Sequence, residues 1–254
     1  MRLGLIADIH GNLVALETVL AALQRDRVDE IVCLGDVAVL GPQPGDVIAR
    51  LRALGCRCVL GNTDAWLIPD PILAAEPAMT IPVADLTRWC AEHLSTADVA
   101  FLRSLPLTIE VPLGMGRTLV AFHASPRSLD NIIAATTPDG ELRAMLGGHR
   151  ADVFAGGHTH IQLLRRYAQV HVVNPGSVGL PGVGPGGPDL PVNEAVAWAE
   201  YAVIEASGGD LSFELHRVAL GVSAMLAVAA AGGMPHLDWW TGKWTGLRSA
   251  SGSG

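Results

Sequence analysis

Five short apolar runs in this chain each end on a small polar cluster. Leu3–Ala7 is followed by Asp8-Ile9-His10, Ile31–Leu34 by Gly35-Asp36, and Cys58–Leu60 by Gly61-Asn62. Thr118–Phe122 is followed by His123, and Val153–Ala155 by Gly156-Gly157-His158-Thr159-His160. Short apolar runs bounded by glycine and polar residues read as buried strands. Between the first three runs, Leu13, Leu16, Leu20 and Leu23, then Val47, Ile48, Leu51 and Leu54, recur at helical spacing. Strands near Leu3–Ala7, Ile31–Leu34 and Arg57–Leu60 with a helix in each connection predict a β-α-β-α-β unit whose strands are parallel. The second half changes rhythm: Leu107–Val111, Arg117–Phe122, Val153–Ala155, Leu163–Tyr167, Val170–Val173, Val196–Glu205 and Leu211–Val218 are strand-like and mostly joined by short turns.

Two segments exceed what such a core needs. From Trp66 to Pro106 a proline-rich stretch precedes two helical patterns, Leu86/Trp89/Cys90/Leu94 and Val99/Leu102/Leu105, with Ser95-x-x-Asp98 as a capping box at the second. This insertion opens directly after Asn62-Thr63-Asp64, so it is expected over the pocket, as a lid or as a dimer surface. Pro126–His149, with Asn131–Ala135 and Glu141–Leu146, follows His123 and is expected to border the site too. Gly182–Pro191 reads as an irregular, mobile loop, and residues 249–254 as a flexible tail. Residues 1–248 form a single domain in this reading, with a helical insertion at about 66–106 and a C-terminal helical extension at about 219–248. Trp239, Trp240 and Trp244 are expected to pack on the protein's own body.

Composition narrows the class. With 254 residues, half of them hydrophobic and 17% charged, the chain suits a compact enzyme rather than a disordered segment. A formal charge of -8 offers no general attraction for a nucleic-acid backbone, so no nucleic-acid duplex is expected as partner. Cys33, Cys56, Cys58 and Cys90 include no C-x-x-C pair and read as free thiols in a reducing compartment. The first strand begins without a basic and apolar leader, which predicts a cytoplasmic protein. Val218–Ala231 is the longest apolar tract, short of the roughly 20 residues a spanning helix needs, so no membrane association is expected.

The polar clusters carry the chemistry. Asp8, His10, Asp36, Asn62, His123, His158 and His160 are oxygen and imidazole donors without thiolate, the set that suits Mn, Fe, Co, Ni or Zn. Their number exceeds the needs of one ion. Two ions about 3.5–4 Å apart account for it if one carboxylate bridges them, and Asp36, alone at its strand end, is the natural bridge. Of the nine histidines, His93, His149, His171, His216 and His236 lack a ligand partner at useful spacing and read as surface or packing residues. Asn12 is a ready helix N-cap, a role compatible with substrate contact. Asn174-Pro175-Gly176-Ser177 reads as a structural turn beside the site, and Ser125 as either a pocket wall or a turn former.

Asp-x-His, Gly-Asp, Gly-Asn, a lone His and Gly-His-x-His, in this order, resemble the calcineurin-like metallophosphoesterase superfamily. Asp8-Ile9-His10-Gly11-Asn12, Gly61-Asn62-Thr63-Asp64, Gly156-Gly157-His158-Thr159-His160 and Asn174-Pro175-Gly176-Ser177 are most similar to its small prokaryotic phosphodiesterase branch. The resemblance spans roughly Met1 to Val218. It implies an α/β fold, a four-layer α-β-β-α sandwich of two mixed sheets with the helical insertion near the active site. It further implies one metal on Asp8, His10, Asp36 and His160, a second on Asp36, Asn62, His123 and His158, and a bridging hydroxide as nucleophile. The cofactor expected is thus a pair of divalent transition-metal ions, manganese first, with iron, nickel, cobalt or zinc as alternatives.

Asn62 and Asp64 are the expected catalytic residues, and Asn12 and Thr63 the expected substrate contacts. Where many phosphatases of the superfamily carry a histidine near the leaving group, this chain has Thr63, which cannot serve as a general acid near pH 7. That departure favours phosphodiesters or activated leaving groups. Alternatives within enzymes are a phosphomonoesterase, a phosphoprotein phosphatase or a dinucleoside-polyphosphate hydrolase. From another class comes a non-catalytic, metal-binding scaffold resembling the retromer subunit of this fold. The expected partner is a small phosphoester or nucleotide, with homo-oligomerisation left open.

Overall fold

The structure, a computed structural model, describes residues 1–68, 79–181 and 197–240. In chain order it contains β1 (Arg2–Ile6), α1 (Leu13–Arg25), β2 (Glu30–Cys33), α2 (Pro44–Ala53), β3 (Arg57–Cys58) and the short α3 (Asn62–Ala65). The insertion forms α4 (Ile81–Glu92) and α5 (Thr96–Ser104), and then come β4 (Thr108–Gly114), β5 (Arg117–Phe122), α6 (Asp139–Leu146) and β6 (Val153–Ala155). The chain continues through β7 (Leu163–Tyr167), β8 (Val170–Asn174), β9 (Trp198–Ser207), β10 (Asp210–Ala219) and α7 (Val222–Ala231). The predicted loop Gly182–Pro191, Trp244, the tail 249–254 and residues 69–78 of the insertion lie outside the described residues.

Two five-stranded mixed sheets form, in the orders β10-β9-β1-β2-β3 and β4-β5-β6-β8-β7. In the first, β1, β2 and β3 are parallel, as expected for strands joined through helices, while β9 returns antiparallel to β1. In the second, β5, β6 and β8 are parallel and β4 and β7 flank them antiparallel. Alternate side chains explain the layering. Leu3, Leu5 and Ala7 from the first sheet meet Leu119, Ala121 and Val173 from the second between the sheets. Ile6 faces the other way, onto α1, whose Ala15, Leu16, Val19 and Leu23 are buried. Beyond the second sheet, Leu142 and Leu146 of α6 cover Val120, Phe122 and Phe154. The result is the four-layer α-β-β-α sandwich.

Local chemistry sets the helix starts. Asn12 Oδ1 accepts the Ala15 N–H at 3.1 Å, Pro44 opens α2, and Ser95 with Asp98 forms a reciprocal capping box at α5. One strand is shorter than its apolar run. The expected Arg57–Leu60 pairs only at Arg57–Cys58, because Val59 N–H still bonds Cys33 O but Leu60 N–H turns to Pro106 O. The described part of the insertion packs on the first sheet's core: Leu86 and Leu102 join it, and the Cys90 thiol reaches Gly41 O. In the C-terminal extension, α7 buries Met225 and Ala229, and Trp240 is buried with its Nε1 donating to Leu40 O. No helix among the described residues is long and apolar enough to cross a membrane.

Candidate metal centre

Every predicted ligand lies at or just beyond the C-terminal end of a strand, where parallel strands leave backbone groups and side chains free to converge. The loops after β1 and β2 run side by side, with Asp8 N–H bonded to Gly35 O, His10 N–H to Asp36 O and Gly11 N–H to Val37 O. Asp8, His10, Asp36, His158 and His160 all have positive φ, between 48° and 68°, the left-handed region that non-glycine residues rarely occupy. They make up half of the ten non-glycine residues with positive φ among the described residues. Such conformations cost about 1–3 kcal/mol each and persist where the surroundings over-determine them. Sequence reading did not reveal this strain.

Asp8, His10, Asp36 and His160 each bring one donor atom within 4.8 Å of the others, and all four are buried. Asp36 Oδ2 lies 3.7 Å from His10 Nε2 and 3.5 Å from His123 Nε2, so one carboxylate oxygen faces both groups of ligands. Its Oδ1 accepts the Thr63 N–H at 3.0 Å. Gly61 permits this approach, since a Cβ there would fall 2.1 Å from Asp36 Oδ1. Asn62 Oδ1 lies 2.8 Å from His123 Nε2 and 3.1 Å from His158 Nδ1. All seven predicted ligands therefore meet in one place.

Backbone carbonyls set the histidine tautomers. Nδ1 of His10 donates to Val39 O at 2.9 Å, that of His123 to Leu34 O at 2.8 Å and that of His160 to Leu180 O at 2.9 Å. This turns each Nε2 inward, the arrangement outer partners impose on metal-binding imidazole. Nε2 of His10 and Nε2 of His160 then face each other at 3.0 Å. Two lone pairs at that distance repel unless a proton or a cation lies between them. Among the described residues, moreover, the ion-pair partners of Asp8 and Asp36 are histidines alone. Buried carboxylates without a lysine or arginine call for another cation, and the donor set fits a divalent metal.

Protonation within the cluster is mutual: burial disfavours the imidazolium of His123 and His160, but the charges of Asp36 and Asp8 raise both. Burial raises the Asp8 carboxyl, but His160, by charge and hydrogen bond, with His123 and His10, outweighs it and holds Asp8 down at about 2. Burial and the neighbouring His123 hold His158 at about 4, leaving its imidazole neutral at pH 7. Burial and the Asp36 charge raise Asp64 to about 6.

Two predicted residues have commitments elsewhere, and a third is buried. Asp64 accepts the N–H groups of Val37 and Ala38 at 2.9–3.0 Å, tying down the chain just after Asp36. Asn12 caps α1 with its oxygen and donates through Nδ2 to Gly179 O and Met225 Sδ, and is 1% exposed. Thr63 is buried as well, and its Oγ1 has no hydrogen-bond partner among the described residues. Ser125 forms the turn, its Oγ accepting Arg127 and Ser128 N–H and donating to Asn131. His93 and His216 stack on Trp89 and Tyr201, and His236 pairs with Asp85, as surface or packing residues would.

Residues 1–188 match the family model of the calcineurin-like phosphoesterase superfamily domain. The chain belongs to this superfamily. It is 29% identical over 231 residues to an uncharacterized protein of Methanocaldococcus jannaschii, covering 85% of this chain and 86% of that one. It is 26% identical over 186 residues to a serine/threonine-protein phosphatase 1 of Salmonella typhimurium, covering 68% of this chain and 85% of that one. The crystal structure of a metallophosphoesterase from Sphaerobacter thermophilus superposes with a TM-score of 0.72 at 25% identity, covering 96% of this chain and 99% of that one. The superfamily fold thus carries, in this member, a buried Asp/His cluster suited to divalent metal.

Proposed function

We propose that this calcineurin-like phosphoesterase hydrolyses phosphodiesters with two divalent ions, manganese foremost, held by Asp8, His10, Asp36 and His160 and by Asp36, Asn62, His123 and His158. The observation that carries this reading is the position of Asp36 Oδ2, within 3.7 Å of His10 and 3.5 Å of His123. Bound there, the ions would activate water and neutralise charge on the phosphoryl oxygens. The chain's own contribution is positional. Carbonyls of Val39, Leu34 and Leu180 keep Nε2 of three histidines turned inward, Asp64 holds the loop after Asp36, and Asn62 presents its amide oxygen beside two imidazoles.

Substrate preference follows from Thr63. A buried threonine offers no proton to a leaving alkoxide near pH 7, and general acid catalysis is worth about 10²–10⁴ in rate. Activated diesters are therefore the favoured substrates. Metal-stripped protein supplied with Mn²⁺ is expected to hydrolyse bis-p-nitrophenyl phosphate, and Thr63→His to raise turnover on a poor leaving group by about 10-fold or more. No metal-dependent turnover would remove the mechanism; no gain from Thr63→His would remove the explanation of specificity. A phosphomonoester or phosphoprotein substrate is the second reading, favoured by the name of the Salmonella relative. Comparing a diester with its monoester under the same metal separates the two. Four free cysteines, three of them buried, accord with a cytoplasmic setting.

A further inference from the structure

The turn Asn174-Pro175-Gly176-Ser177 holds no predicted ligand, yet it lies between the ligand loops of the two sheets. Asn174 closes β8 in the second sheet. Its Nδ2 donates to Gly157 O at 2.6 Å and to Thr159 Oγ1 at 3.0 Å, one contact on each side of His158, and its Oδ1 accepts Gly176 N–H at 2.8 Å. Ser177 reaches the first sheet. Its Oγ donates to Asp8 O at 2.8 Å and accepts Leu180 N–H at 2.9 Å, while Val178 N–H and Gly179 N–H bond Ala7 O and Asp8 O. Leu180 O, in turn, is the acceptor that fixes His160 Nδ1.

One segment thus grips Asp8, His158 and His160 at once, three residues whose backbones are strained. Gly176 lets it close: φ is +82°, and a Cβ would fall 2.0 Å from Glu200 Oε2. Glu200 N–H bonds Ser177 O from behind. Asn174 and Ser177 are 4% and 0% exposed, so neither is placed to touch substrate.

We propose that Asn174 and Ser177 are positioning residues for the metal ligands, bracing the Asp8 loop of one sheet against the His158–His160 loop of the other. The proposal rests on the two-ion reading. Outer partners of metal ligands typically contribute about 10–100-fold in affinity. Ser177→Ala removes the hydroxyl that serves Asp8 O and Leu180 N–H together. Asn174→Asp keeps the acceptor for Gly176 N–H and removes the donor to Gly157 and Thr159.

The test is Mn²⁺ affinity of the purified full chain by competition with a fluorescent chelator, with circular dichroism and melting of the metal-free protein beside it. Each variant is expected to bind Mn²⁺ about 10–100-fold more weakly while keeping its folded spectrum, and to recover turnover when Mn²⁺ is raised. Variants that melt earlier but hold Mn²⁺ within about twofold of the unaltered protein would reduce the turn to a structural element. If Asn174→Asp does not fold, Thr159→Val removes one of its two acceptors and leaves the turn intact, with a severalfold loss expected and no loss overturning the proposal. An unaltered protein that takes up no Mn²⁺ would instead bring down the two-ion reading, and this inference with it.

Discussion

The two halves of the metal centre are built differently. Asp8, His10, Asp36 and His160 form a four-donor nest, with donor atoms within 4.8 Å of each other and both imidazoles pinned by backbone carbonyls. Asn62, His123 and His158 complete the other half around the same Asp36. There a neutral amide replaces a carboxylate, and His158 turns Nδ1 towards Asn62 while the three other ligand histidines turn Nδ1 to a carbonyl. Charge and rigidity are therefore concentrated in the first half. If both halves hold ions, the first should load earlier and release later.

The largest expected effect comes from the residue the halves share. Asp36→Asn should lower turnover of bis-p-nitrophenyl phosphate by at least about 10³-fold and weaken metal uptake at both positions. Near-normal turnover would show that the carboxylate does not couple the two halves. Next, His160→Ala should weaken the tightest Mn²⁺ step by at least about 10²-fold, whereas His158→Ala should affect only a later, weaker step. Isothermal titration of both variants reads this directly, and equal effects would erase the distinction. The smallest effect lies far from the metals: Ser95→Ala breaks the capping box of α5 and should cost about 1 kcal/mol of stability by urea unfolding. Turnover should not change, and a fall would mean that the insertion acts in catalysis.

The insertion also shows where sequence reading reached its limit. Its two helices and the capping box at Ser95 were legible because helical period and capping chemistry are local. Its contacts with the loop after Asp36 are long-range and carry no such local signal. Through the Cys90 thiol on Gly41 O, α4 touches the loop that runs from Val37 to Gln43, and that loop supplies the carbonyl at Val39 on which His10 depends. A backbone carbonyl has no sequence signature, so none of the three tautomer-setting contacts could be anticipated. Asp64 stands in the Gly61-Asn62-Thr63-Asp64 motif, but its bonds to Val37 and Ala38 N–H depend on two loops lying side by side.

Sequence alone determined the parallel β-α-β-α-β opening, the strand-rich second half and the identity of the residues that gather at the strand ends. These follow from the period of apolar positions and from ligand chemistry, both written into side-chain type. Only the tertiary structure decided that five of those residues sit in left-handed conformations, that Asp36 faces both groups of histidines, and that Asn12 and Asp64 are spent on the backbone. Those outcomes depend on which carbonyls and N–H groups the opposing loops present. Such partners are chosen by how two sheets pack, not by any pattern along one chain.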